Sequence, residues 1–410
     1  MHPLVLSEAK LLLSMLYGGG AFLSFVLLAY FSKLKFGIEA AGGFLGFYGI
    51  VFSGGSFASL GLYSRAPSWV IRDRDAEGYF SKKRFVLLSV SIATTLSLWV
   101  LFIDPKIFIA GKLPLFTLLV GILQVAILML LCGISNGYKN FHLARINFVI
   151  APNIAAILLF LLLDLHPMHS LIWGLTICNV LHVLLINFLT NWKTDVPKTK
   201  ASRPVAAFSL KMILPVSILS VMPQIDIWIL YNLLDGNDIF IYTFFVRFLM
   251  IPMFPIISFN NLMYSTLPQL AYINDFGSIE RIFFGKYRRM RIVIVAASIS
   301  LPLFAYLISS VIGVPFDWRS IGLIAALILG YGFISLYPPY EVLAYAFEEQ
   351  SEVFLLSIGL LLLAATGIFL LAHTPWVWLG PIIPAACMFI MRYAYSRQYE
   401  AKKQKIDLQD

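Results

Sequence analysis

Apolar runs of about twenty residues follow one another along nearly the whole chain, separated by short polar segments. A hydrocarbon core about 30 Å thick is crossed by about 20 predominantly apolar helical residues. The pattern predicts twelve spans, at 11–31, 38–62, 85–103, 114–134, 146–164, 170–190, 213–233, 239–268, 292–312, 320–343, 353–372 and 376–392. The longest hydrophilic stretches, 65–84, 191–212 and 393–410, are loops or a tail and too short for a soluble domain. The stretch NWKTDVPKTKASRPVAAFSLKM divides the spans six and six. This gives an expected lobe over 1–190, a cytoplasmic linker over 191–212, a second lobe over 213–392 and a basic tail over 393–410. A weak internal echo supports two lobes. Span two ends near Arg65-Ala66-Pro67 and enters a basic loop ending Ser81-Lys82-Lys83-Arg84, and span eight ends near Leu267-Pro268-Gln269 and enters one ending Tyr287-Arg288-Arg289. Paired half-bundles with a substrate path between them are a common transporter plan.

Composition agrees with lipid as the main solvent. Hydrophobic residues make up 60% of the 410 and charged residues 12%, against about 25% charged in soluble domains. The expected fold is therefore an all-α polytopic membrane protein. The net charge of +9 gains meaning from its placement. With the N-terminus inside, and with Arg392 at the inner end of span twelve counted with the tail, the inward segments hold 24 of the 30 Lys and Arg and the outward loops five, with Arg247 the remaining one. The positive-inside rule then puts both termini in the cytoplasm. Topology accounts for the basic charge, and a nucleic-acid partner is not expected. Trp173, Trp318, Trp376 and Trp378 fall near outer span ends and Trp69 and Trp192 near inner ones, as an interfacial aromatic belt requires.

Cys132, Cys178 and Cys387 lie within apolar runs, without the spacing of a metal site or disulfide framework. The N-terminal apolar run lacks a small-residue cleavage site and reads as a retained first span. No phosphate loop, HExxH or CxxC occurs, so neither an enzyme nor a bound cofactor or metal is expected. A membrane-embedded glycan enzyme or polymerase would gather acids or histidines at one face, and here the acids are scattered.

Two charges interrupt the segment QIDIWILYNLLDGNDIFIYTFFVRF. Spans seven and eight are joined by a short turn, so they are antiparallel neighbours. Asp226 lies seven residues before the expected end at Leu233, and Arg247 eight after the expected start at Ile239. At 1.5 Å per residue both would sit about 10 to 12 Å below the outer surface of the apolar zone. Each costs roughly 2.5 to 3.5 kcal/mol near a helix centre, which argues against either facing lipid. Two readings stay open. One is a mutual ion pair, which often only breaks even against its desolvation. The other is a wet cavity where Arg247 meets an anionic substrate and Asp226 senses a cation or proton. Pro223 precedes Asp226 by a turn, and Pro252 and Pro255 follow Arg247; such breaks are tolerated where they are buried in protein or line a cavity.

Other polar positions are read more plainly. Asn260 and Asn261 extend a polar path from Arg247 toward the cytoplasm. Gly42, Gly46, Gly49, Ser53 and Ser56 share one face of span two and predict close helix packing. Gly18-Gly19-Gly20 predicts a bend in span one. Glu39 and Glu341, at span ends, are expected to snorkel to water. Asn179, His182 and Asn187 lie along one face of span six, where an interhelical hydrogen-bonded seam is favoured over a proton relay.

The passage from Gln224 to Arg291 resembles spans seven to nine of the polysaccharide and lipid-linked oligosaccharide flippases of the multidrug/oligosaccharidyl-lipid/polysaccharide (MOP) exporter superfamily. The shared pattern is Asp226, the polar turn Asp235 to Asp238, Tyr242, Arg247, Pro268 and the basic end Tyr287 to Arg291. The stretch FLGFYGIVFSGGSFASLGLYSRAPSW resembles their span two. The resemblance implies a V-shaped pair of six-helix lobes in a bacterial inner membrane, with alternating access. It also implies export of an undecaprenyl-pyrophosphate-linked sugar chain, such as an O-antigen repeat unit, alongside glycosyltransferases and a polymerase. By the same resemblance Arg247 would hold the pyrophosphate and Asp226 would match a sodium-binding position; the polar path of Asn260 and Asn261 would add to the substrate site, and H+ coupling or a role as charge partner stays open for Asp226. Span one lacks the arginines of lipid II flippases and the Asp common in drug exporters. Span eleven lacks an Asp or Asn to complete a sodium site. A cation-coupled multidrug exporter of the same superfamily is the alternative within transport.

Overall fold

A bilayer offers the backbone no hydrogen-bond partner, so each apolar run must satisfy its own N–H and C=O groups, and a helix does so along one segment. The computed structural model describes residues 3–59, 86–98, 115–137, 146, 150–189, 210–272, 276–347 and 353–407. Every regular element among them is helical. In chain order they are α1 (Pro3–Ala58), α2 (Val86–Leu98), α3 (Leu115–Gly137), α4 (Ala151–Leu162), α5 (Pro167–Leu189), α6 (Leu210–Val221), α7 (Ile225–Leu230) and α8 (Gly236–Val246). There follow α9 (Met250–Tyr272), α10 (Phe276–Ile312), α11 (Trp318–Leu327), α12 (Glu341–Phe347), α13 (Phe354–Ala372) and α14 (Ile382–Asp407). Seven helices are long and apolar enough to cross a membrane, and four shorter apolar helices stand at further expected spans. Because α1 supplies two spans, each of the twelve expected spans has a described helical counterpart.

Three boundaries differ from expectation, each for a local reason. Spans one and two form a single helix bent at Gly37, whose φ of 82° is open to glycine at little steric cost. The basic segment ending Tyr287-Arg288-Arg289, expected as a loop, is the first part of α10. Its apolar positions Ile279, Phe283, Tyr287 and Met290 recur at helical spacing and are buried against Phe259, Met263, Val342 and Tyr399. Span ten is interrupted: α11 passes into a π-helical turn over Ile328–Gly332 and stops before Pro338-Pro339, and α12 begins at Glu341. The basic loops at 65–84 and 191–212, with Trp69 and Trp192, lie outside the described residues, as do the side chains of Asn187 and Asn261.

The chain groups into two compact units, Met1–Gly46 with Leu214–Asp410, and Phe47–Ile213. In the first, a Cβ on Gly18 would stand 2.6 Å from the Phe254 ring, and Cβ atoms on Gly42 and Gly46 would overlap the Gly236 carbonyl and the Tyr231 ring. Where lipid is as apolar as the side chains, such close contact supplies the packing energy. Gly18 is thus a packing residue, and Gly42 and Gly46 act as the small-residue face predicted.

In the second unit, Gly55 meets Val125 and Gly174 meets the Pro152 carbonyl. A buried polar seam joins α2, α3 and α5. Gln124 donates to the Ala93 carbonyl (2.9 Å) and to Ser97 (2.7 Å), Asn179 donates to Gln124 Oε1 (2.6 Å), and Thr176 to Ser97 (3.0 Å). His182 Nε2 lies 2.7 Å from the Ser135 hydroxyl on α3. Asn179, through its Nδ2, and His182, through its Nε2, therefore serve helix–helix cohesion across a helix boundary.

Candidate functional site

The candidate site is built within the first unit by the hairpin α6–α7–α8 and by α9. Pro223 has no N–H to give Leu219, and the helix tightens there into a 3₁₀ turn over Met222–Gln224. Asp226 follows immediately, in the first turn of α7. The polar turn then closes with Asp235 as the N-cap of α8, its side chain accepting from the Asp238 N–H at 2.7 Å. At the far end of α8, Arg247 opens a second 3₁₀ turn, Arg247–Leu249, ahead of Pro252. Both charges thus sit where the regular helix gives way.

Asp226 is fully buried. Its Oδ2 accepts a 2.7 Å bond from the Tyr242 hydroxyl and its Oδ1 a 2.9 Å bond from the Ile227 N–H. Tyr242 is itself fully buried, its ring centroid 6.1 Å from that of Trp378, and Gly380 leaves room for its hydroxyl. Arg247 is 6% exposed, and its guanidinium lies over the Phe25 ring of α1 at 5.3 Å. Phe22 supports this stack by an edge contact with Phe248 at 5.0 Å.

The mutual ion pair is not formed: neither carboxylate oxygen of Asp226 is paired with Arg247. The helix ends beside the turn also differ from expectation. α7 ends at Leu230, three residues earlier than expected, and α8 starts at Gly236, three earlier. Asp226 therefore lies about 6 Å below its helix end and Arg247 about 16 Å below its own, at 1.5 Å per residue. Tyr242, one and a half turns nearer the hairpin tip, is what faces the carboxylate.

Asn260 is half-buried on α9, and its Oδ1 has no hydrogen-bond partner among the described residues. Gln224 Oε1, Thr243 Oγ1 and Tyr331 Oη are buried and likewise have no hydrogen-bond partner among the described residues. Tyr331 lies in the π-helical turn and within electrostatic range of Asp226. Sequence reasoning missed Gln224, Thr243 and Tyr331 because a lone polar residue in an apolar run gives no sign of which way it points. The Gly-Tyr-Gly triplet at 330–332 was the available signal, since π-helical turns gather at functional sites. No group of three or more His, Cys, Asp or Glu that could hold a metal occurs among the described residues, and Cys132, Cys178 and Cys387 are buried and not joined in disulfides.

Glu341 departs from expectation. It is buried, and its Oε1 accepts from Arg392 Nη2 at 3.1 Å and Nε at 3.3 Å. A carboxylate with a guanidinium beside it has no need to snorkel.

No family model and no curated protein matches the chain. Solved structures do. An outward-facing multidrug resistance MATE family transporter of the MOP superfamily aligns with a TM-score of 0.62 at 18% identity, covering 97% of this chain and 96% of that one. A MATE in complex with MaL6 gives 0.61 at 17% identity, covering 97% of each. A MOP superfamily transporter from Pyrococcus furiosus, described by a reversed polarity of its binding pocket and a suggested different function, gives 0.62 at 16%, covering 96% and 95%. From end to end, this chain has the two-lobe helical fold of the MATE transporters of the MOP superfamily.

Proposed function

We propose that this chain is a transporter of the MOP type that flips an undecaprenyl-pyrophosphate-linked oligosaccharide, a surface-polysaccharide repeat unit, across a bacterial inner membrane. The observation that carries the reading is Arg247, a guanidinium buried in an apolar segment of a transporter-type fold and stacked on Phe25. An arginine in a low-dielectric setting grips phosphate oxygens bidentately, more strongly than it would in water. Asn260, with its unmet Oδ1, and Asn261 would contact sugar hydroxyls along the path. Because Arg247 rests on Phe25, the pyrophosphate engages it only in a state in which α1 has shifted. The bend at Gly37 gives α1 a place to pivot, and alternating access would link this shift to opening on either side. Asp226 would bind H+ or Na+ and bias the cycle. The sugar chain would arrive from glycosyltransferases and pass to a polymerase.

A cation-coupled multidrug exporter is the second reading, supported by the drug transporters that share the fold and by the buried Asp226. Reconstituted vesicles separate the two. A fluorescent lipid-linked oligosaccharide should change leaflet with its covalent structure intact, and Arg247→Met should slow this by about a hundredfold, a loss of about 3 kcal/mol for a charge-assisted contact. Efflux of cationic dyes with no movement of the lipid-linked sugar would overturn the flippase reading.

A further inference from the structure

The long helix α10 has two unlike faces over its first four turns. One is buried in the aromatic core described above. On the other, Arg281 and Arg288 are exposed and stand two turns apart in nearly the same direction, since seven residues advance a helix by 700°. Gly285 lies between them on that face, and a Cβ built on it would meet nothing within 4 Å. The gap therefore reaches down to the helix backbone. Directly above it the same face turns apolar: Ile292 and Ile299 are 74% and 75% exposed, a lipid-facing band. Arg288 falls about 6 Å beyond Ile292, within the headgroup layer that borders the hydrocarbon. The neighbouring acid Glu280 is committed to Lys403 at 2.6 Å, and no acid pairs with Arg281 or Arg288 among the described residues.

We propose that this notch binds the phosphate headgroup of an anionic phospholipid in the cytoplasmic leaflet, its acyl chains lying along Ile292 and Ile299. The two guanidinium groups supply the charge and the glycine the room. A general attraction of basic segments to the membrane surface would need only the charge.

The test uses the full chain in neutral detergent, with retention of added phosphatidylglycerol counted by native mass spectrometry and phosphatidylcholine as the uncharged comparison. Wild type should retain the anionic lipid preferentially. The double variant Arg281→Gln/Arg288→Gln should bind it about tenfold more weakly. Gly285→Leu keeps every charge and raises helix propensity, so it folds; by filling the notch it should weaken binding by a similar factor. Arg397→Gln removes an exposed charge of the same end that is paired with Glu400, and should leave binding unchanged. Undiminished binding in the double variant would overturn the proposal. So would undiminished binding in Gly285→Leu, which would reduce the effect to diffuse charge.

Discussion

At the scale of single residues, the apolar surroundings of Asp226 and Arg247 make both visible in the sequence, because an ionised group in such a run demands an explanation. Their partners are less visible. A shift of three residues at each helix end replaces an Asp226–Arg247 encounter by an Asp226–Tyr242 bond, and hydropathy does not resolve three residues. The bond has a measurable consequence. Tyr242→Phe removes the side-chain donor to the buried carboxylate and leaves it backbone N–H groups such as that of Ile227, a loss of about 1 to 3 kcal/mol for a buried group that loses a partner. Thermal unfolding in detergent should show Tyr242→Phe melting several degrees lower. The same change in an Asp226→Asn background should cost less, because the charge is gone; equal costs in both backgrounds would mean that the hydroxyl does not serve the carboxylate. Arg247→Met, by contrast, should melt close to wild type while transport falls, since its stacking on Phe25 is kept in part by the methionine stem.

At the scale of elements, the break in span ten shows how one fault is repaired from two sides. Pro338 and Pro339 have no N–H to give the carbonyls of Ile334 and Ser335 four residues earlier. Arg392 of α14 donates Nη1 to the Ile334 carbonyl at 3.1 Å, and the Tyr287 hydroxyl of α10 donates to that of Ser335. The Pro-Pro pair marks the break in the sequence, but Arg392 and Tyr287 sit 54 and 51 residues away, and nothing local announces them. Because Arg392 also holds Glu341, Arg392→Met should be among the most destabilising single changes, by about 3 to 5 kcal/mol, since it strands a buried carboxylate. Adding Glu341→Leu should restore much of the loss, because two apolar residues then replace a desolvated pair. A double variant no more stable than Arg392→Met would show that the carbonyl bond, and not the ion pair, is what α14 contributes. Glycine contacts follow the same logic of close approach: Gly42→Val drives a side chain into the Gly236 carbonyl and should separate α1 from the hairpin, lowering the melting temperature without touching a charge.

At the scale of the whole molecule, the number of spans is legible because crossing a bilayer is a local property of each segment, scored by length and apolarity alone. How spans associate is not local. Gly18, Gly42 and Gly46 pack on residues from 231 to 254, a contact that small residues permit but do not specify. Sidedness rests on charge, since 24 of 30 basic residues fall on one set of alternating segments. That assignment would decide more than orientation, because it would place the hairpin tip and Trp376 outside and Arg281, Gly285 and Arg288 in the inner leaflet. The three native cysteines are buried, so introduced ones report on a quiet background. Trp376→Cys, at a side chain 65% exposed, should react with a membrane-impermeant maleimide in intact spheroplasts. Gly285→Cys should react only after permeabilisation. The reverse pattern would invert the topology, and with it the leaflet in which the basic face of α10 could meet an anionic headgroup.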